Sequence, residues 1–235
     1  MKTKDRLTRA YEEAEIVEFD STSKFIFFSD QHRGDGSNAD EFSKNKVIVT
    51  HALAHYLDEG FTLVEIGDSE DLWEFPHLKH IVRAHGIVYG KLREFHAGSR
   101  YLRLFGNHDI QFADPRYVRQ NLFDAQNPQT GELEALLPGL AVHQALRLRH
   151  KETGQEVLVV HGHQGDLAND QNWRFTMWTY RLLAVAARLR HPQPVQPDPQ
   201  QLQAPQGRAQ LRQVDPGASG RPHLRPHPPG QVPGS

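Results

Sequence analysis

Four polar clusters each close a short apolar run, and their residue types are those that hold divalent cations. "KFIFFSDQH" ends on Asp30 and His32, "FTLVEIGDSED" on Asp68 and Asp71, "YLRLFGNHD" on Asn107, His108 and Asp109, and "EVLVVHGHQGD" carries His161 and His163. Carboxylate and amide oxygens mixed with imidazole nitrogens suit Mn²⁺, Fe²⁺ or Zn²⁺ more than Ca²⁺, and there are enough of them to serve more than one ion. A loop that only had to turn could use Gly with Asn or Asp, which tolerate unusual backbone angles. Taken singly, Asp30, Asp68 and Asn107 therefore also read as turn residues or helix caps. Taken together and in order, they favour chemistry.

Bringing such clusters to one place requires strands that end side by side. Residues 24–29, 61–66 and 100–105 are apolar runs that read as buried strands leading into loops. Between the first two, residues 40–60 read as a helix with Val47, Ala52, Leu53 and Leu57 on one face and Gly60 as its stop. Residues 75–95 also read as helical. Strands alternating with helices predict an α/β fold whose functional groups gather beyond the carboxyl ends of the strands. "LAVHQALRLRH", the turn "KETG" and "QEVLVVHG" predict a hairpin. Residues 172–190 predict an amphipathic helix whose Trp173, Phe175, Trp178 and Tyr180 form a packing face or, as the alternative, a lipid-facing cap. Trp73 reads as core, and Asp71 as either a supporting carboxylate or a first-turn helix charge.

The 235 residues carry a formal net charge of -2 and no cysteine. The balance offers no basic field for a nucleic-acid backbone, and thiolate metal sites and disulfides are excluded. The charged N-terminus lacks the apolar core of a signal peptide and no run approaches a membrane span, so the expected location is cytoplasmic. Composition changes after residue 190. Residues 1–190 are expected to form the folded domain, and 191–235, rich in Pro, Gln, Gly and Arg and free of aromatics, a disordered low-complexity tail.

The ordered blocks DxH, GDxxD, GNHD and a strand-terminal His, spanning residues 30–166, resemble the calcineurin-like metallophosphoesterase superfamily. Their contexts, "SDQHRG" and "HGHQGD", are most similar to the bacterial branch that includes the diacylglucosamine pyrophosphatase of lipid A synthesis. The resemblance implies a four-layer α/β/β/α sandwich, expected here to be truncated at its C-terminal strands. It also implies hydrolysis of a small-molecule phosphoester or pyrophosphate by a hydroxide bridging two divalent ions, Mn²⁺ first, with Fe or Zn as alternatives. Asp30 and His32 would bind one ion, Asp68 would bridge, and Asn107 and His161 would bind the other. His108 would protonate the leaving oxygen or stabilise the phosphoryl group while Asp109 orients its ring. Arg33 and His163 would contact the phosphate. Peripheral membrane contact is compatible with this reading.

The chain departs from the family pattern in lacking the final GHxH block, which supplies one ligand to each ion. That leaves open a degenerate, non-catalytic protein that binds a phosphorylated ligand or a partner. His223 and His227 have neither the spacing nor the setting of that block. Codons permitted for "HLRPHPPGQVP" (223–233), read one nucleotide later, give ICGHTHRAKF, so the tail is expected to be a frameshifted reading of the family C-terminus; the alternative is a genuine Pro-rich tail.

Overall fold

Runs rich in β-branched and aromatic residues alternate with helices through most of the chain. The computed structural model describes residues 3–127, 130–164, 166 and 172–190, with side chains through Leu183. The expected tail, 191–235, lies outside the described residues. Helix α1 (Thr3–Glu12) leads into β1 (Glu15–Phe19). Strand β2 (Phe25–Phe28) is followed by a 3-10 turn (Glu41–Lys44) and α2 (Lys46–Asp58), and β3 (Thr62–Ile66) by α3 (Leu78–Ala84) and α4 (Gly86–Ala97). After β4 (Tyr101–Leu104) come a second 3-10 turn (Ile110–Ala113), α5 (Pro115–Leu122) and a small hairpin of β5 (Asp124–Gln126) and β6 (Leu133–Ala135). Strands β7 (Val142–His143), β8 (Ala145–His150) and β9 (Glu156–Val160) and helix α6 (Trp173–Arg190) complete the described elements.

The fold is mixed α/β with parallel sheets. One sheet has the order β2-β3-β4-β7, all parallel; a second has the order β1-β8-β9, with β1 parallel and β9 antiparallel to β8. Successive side chains of a strand point to opposite faces, and β3 uses both. Leu63 joins the core formed with Leu53 of α2, Ile81 of α3, Leu92 of α4 and Val118 of α5, whereas Val64 joins Leu104, Leu146, Leu148 and Val159 between the two sheets. The same alternation puts Glu65 and its register partner Arg103 on the helix side, where both are buried. Beyond the second sheet, Ala10 and Ala14 pack against Ala145 of β8.

Several expectations from the sequence hold: the three strands, the hairpin β8–β9 and the helix now seen as α6. Others change. Val47 is 79% exposed, so the buried contact of α2 is carried by Leu53 at 1%. On α6, Tyr180 and Arg181 reach the 72–74 segment, while Phe175 and Trp178 stay exposed. Strand β1, "EIVEF", gave no apolar run to recognise because it is only partly buried, with both glutamates exposed. No helix among the described residues is long and apolar enough to cross a membrane.

The long loop between β2 and α2 is tied down by one buried pair. Asp40 accepts from Gly36 N (2.8 Å), Ser43 N (3.3 Å) and Ser43 Oγ (3.0 Å), and meets His85 Nε2, at the α3–α4 junction, at 2.7 Å. Burial disfavours the Asp40 charge, yet His85 and these donors outweigh it and hold the pKa at about 2. Asp40→Ala should lower unfolding stability by about 3 kcal/mol, since it leaves buried donors unmet. Because the folded carboxyl titrates below its ordinary value, its contribution is present above about pH 4 and lost as pH falls toward 2. Denaturant titrations should show a wide gap between wild type and variant at pH 7 and a narrow one near pH 2.

Candidate metal centre

The clusters lie on loops that follow β2, β3, β4 and β9. Asp30, His32 and Asp68 have φ of +53°, +48° and +49°, and among the described residues the only other non-glycine with positive φ is Ser99. Left-handed backbone costs an L-residue about 1–2 kcal/mol, and such strain collects at functional sites where surrounding structure enforces it. Here the first two loops enforce it on each other: Asp30 N donates to Gly67 O, His32 N to Asp68 O and Arg33 N to Ser69 O, at 3.2, 2.9 and 2.9 Å. The glycines of "GD" and "GN" are required where the second and third loops cross. A Cβ on Gly67 would lie 2.6 Å from Gly106 N, and one on Gly106 would overlap the Asp68 carboxylate.

Asp68 is the centre of the arrangement. It is 3% exposed; its Oδ2 lies 3.2 Å from His161 Nε2 and 3.9 Å from His32 Nε2, and its Oδ1 accepts from His108 N at 2.7 Å. Donor atoms of His32, Asp68 and His108, and those of Asp30, Asp68 and His161, each fall within 4.8 Å of one another. Asp68 belongs to both sets. The expected division placed Asp30 with His32, and Asp30 Oδ1 does lie 4.0 Å from His32 Nε2; the two clusters add His161 beside Asp30 and His108 beside His32. His161 Nδ1 lies 2.8 Å from Ile66 O, which can only accept, so Nδ1 bears hydrogen and Nε2 faces Asp68. Against the burial that disfavours its charge, Asp68 and the Ile66 carbonyl push the His161 pKa up to about 9, while Asp68 is held below the usual carboxylate range. Asn107 sits in the third loop, 7% exposed.

By its chemistry, oxygen and imidazole donors without thiolate, each of these groups could hold a divalent transition ion. No family model, curated protein or solved structure matches the chain. The site's chemistry therefore rests on its own geometry.

His108 borders a cleft of about 650 Å³ beside these donors. Its ring is fixed from several sides: Nδ1 is 3.0 Å from Asp71 Oδ1, Trp73 stacks on it at 4.1 Å and 18°, and His32 and Tyr180 meet it edge-on at 4.5 and 5.8 Å. Burial opposes its charge, but Asp71, with Asp68 and Asp109 nearby, raises its pKa above the ordinary value. This corrects one sequence expectation. Asp71, not Asp109, orients His108, so its reading as a supporting carboxylate holds; it also accepts from Trp73 N and Glu74 N within a turn, but no helix starts there, α3 beginning at Leu78, and the first-turn helix reading fails. Asp109 is fully buried on the far side, where it accepts from Gly106 N (2.6 Å), Ser69 N (3.0 Å) and Asp68 N (3.3 Å). Trp73 is core, as expected, at 2% exposure.

A second correction concerns Arg33. It is fully buried and cannot touch a phosphate in the cleft; its guanidinium pairs with Glu65 at 2.7 Å and Glu70 at 2.7 Å. Arg103 pairs with Glu70 and lies 3.4 Å from Asp109, and Tyr89 and Tyr101 donate to Glu70 and Glu65. Sequence reasoning missed this network. Its signal was present, as single charges inside the apolar runs "LVEIG" and "YLRLF". His163, expected at the phosphate, is 7% exposed with its ring 5.4 Å from that of His161.

Removing Arg33 should therefore unfold the protein before it affects any ligand. Arg33→Met leaves two buried glutamates short of compensation and should cost about 3–5 kcal/mol. Chemical denaturation checks this; unchanged stability with weakened phosphate binding would restore Arg33 to the cleft.

Proposed function

We propose that this chain is a dinuclear-metal-dependent phosphoesterase of the calcineurin-like kind, hydrolysing a phosphomonoester, phosphodiester or pyrophosphate bond of a small molecule. The observation that carries the reading is Asp68, whose Oδ2 lies 3.2 Å from His161 Nε2 and 3.9 Å from His32 Nε2 and which is held, with Asp30 and His32, in left-handed backbone. Asp30, His32, Asp68, Asn107 and His161 would hold the ions, Mn²⁺ first. Two ions, when bound, would supply water activation and neutralise charge on the phosphoryl oxygens. The protein's own part is positional. Buried loops fix the donors, and His108, oriented by Asp71 and backed by Trp73, delivers a proton to the leaving oxygen or donates to the phosphoryl group. The order of packing, α2 to α5 on the four-stranded sheet, that sheet on β1-β8-β9, and α1 beyond, supports the four-layer α/β/β/α sandwich.

Hydrolysis of an aryl phosphate or its diester should appear with Mn²⁺ and vanish with a chelator. Asp68→Ala should abolish metal uptake and turnover together. His108→Ala should keep its metal while kcat falls by about 10²-fold, the usual scale for a positioned acid or base. Activity that survives chelation would overturn the proposal. Metal and phosphate binding without turnover would favour the non-catalytic reading.

A further inference from the structure

Helix α6 grips the surroundings of His108 through one side chain that the phosphoesterase reading leaves unused. Arg181 Nε donates to Trp73 O at 2.8 Å and its Nη2 to Leu72 O at 3.0 Å, so a single guanidinium spans two successive carbonyls. A planar fork can do this; a lysine ammonium, a point charge on a flexible stem, does not reproduce it. Leu72 and Trp73 are buried, and buried carbonyls need partners. Arg181 makes no ion pair among the described residues, so its removal strands no carboxylate there, in contrast to Arg33.

The segment that Arg181 holds carries two of the groups that fix His108. Asp71 Oδ1 lies 3.0 Å from His108 Nδ1 and also accepts from Trp73 N and Glu74 N, at 3.1 Å each, while Leu72 N donates to His108 O at 3.2 Å. Trp73 stacks on the imidazole at 4.1 Å, and Tyr180, next to Arg181 on the helix, meets it edge-on at 5.8 Å. With Nδ1 engaged by Asp71, Nε2 is the nitrogen left to face a leaving oxygen.

Resting on the phosphoesterase reading, we propose that Arg181 is a positioning residue for leaving-group protonation. Through Trp73 and Asp71 it sets the direction of His108, and α6 thereby decides how basic a leaving group the site can expel. Misplacing a reacting group by about 1 Å can cost about 10²-fold. A leaving group too basic to depart unaided bears that loss, whereas a good one does not need the proton.

The test compares phenyl phosphate, whose leaving group needs a proton, with 2,4-dinitrophenyl phosphate, whose leaving group does not, on the full-length, Mn²⁺-loaded chain. In Arg181→Ala the ratio of kcat on the first ester to kcat on the second should fall about tenfold, with KM and Mn²⁺ content unchanged. Arg181→Lys, which keeps the charge but not the fork, should lower the same ratio by less, and it carries the test if the alanine variant fails to fold. A second readout does not depend on turnover. In the Zn²⁺-loaded chain the stacked Trp73 ring shifts the His108 ring protons upfield, NMR identifies them by their loss in His108→Ala, and in the Arg181 variant they should move toward the position of an unstacked histidine. An unchanged ratio, an effect confined to KM, or unmoved His108 signals would reduce Arg181 to a fastener of α6 and overturn the inference while the phosphoesterase reading stands. A wild-type chain that hydrolyses neither ester would overturn both.

Discussion

The position of Asp68 depends on a carboxylate that never reaches the cleft. Asp109 gathers the amides of Gly106, Asp68 and Ser69 and thereby staples the loop after β4 to the loop after β3. It lies at the edge of a buried network in which two guanidiniums, Arg33 and Arg103, face three carboxylates, Glu65, Glu70 and Asp109. Asp109 is the odd charge. Burial, with repulsion from Glu70 and Asp68, outweighs Arg103 and pushes its pKa up to about 6, whereas Arg33 and Arg103 hold Glu65 at about 2. Buried ion pairs are seldom a net source of stability, but losing one partner is severely destabilising. The network acts here as a demand for one arrangement, and that arrangement sets the two loops against each other.

The rest of the centre follows from this contact. With the loops stapled, there is no room for a side chain at Gly67 or Gly106, and Asp68 is confined to left-handed backbone with its carboxylate directed at His161 and His32. The first loop is then registered on the second by successive backbone hydrogen bonds, which puts Asp30 and His32 into the same strained region. The strain is tolerable because β3 and β4 are buried on both faces, packed on one side by helices and on the other by the second sheet. Helix α6 finishes the arrangement from outside: Arg181 donates to the carbonyls of Leu72 and Trp73, steadying the ring stacked on His108.

What could be read from the sequence was what depends on local pattern. Asp30, His32, Asp68, Asn107, His108 and His161 stood out because each ends an apolar run; the ends of the parallel β2, β3 and β4 lie side by side, and His161 joins them from β9, the antiparallel strand of the other sheet. The helix at 172–190 and the β8–β9 hairpin were legible for the same reason. What failed depended on which side of a strand or loop a charge faces. Arg33 follows His32 directly, and its backbone bridge to Glu70, with ion pairs to Glu65 and Glu70, holds its side chain inward. Asp109 follows His108 directly, yet the chain there turns its carboxylate toward Arg103 while the imidazole meets Asp71, 37 residues earlier. Partner choice of that kind is set by tertiary register, which residue spacing does not encode. Strand β1 escaped notice because its charged residues lie at the surface of a sheet whose other strands come more than 120 residues later.

In the proposed function Asp68 is shared between two ions. Equilibrium Mn²⁺ binding to the full-length protein, read by metal analysis together with electron paramagnetic resonance, tests it most directly. Two ions per chain with an exchange-coupled spectrum are expected, since a shared carboxylate couples their spins. A single ion with an uncoupled six-line signal, or no bound Mn²⁺, would contradict the account.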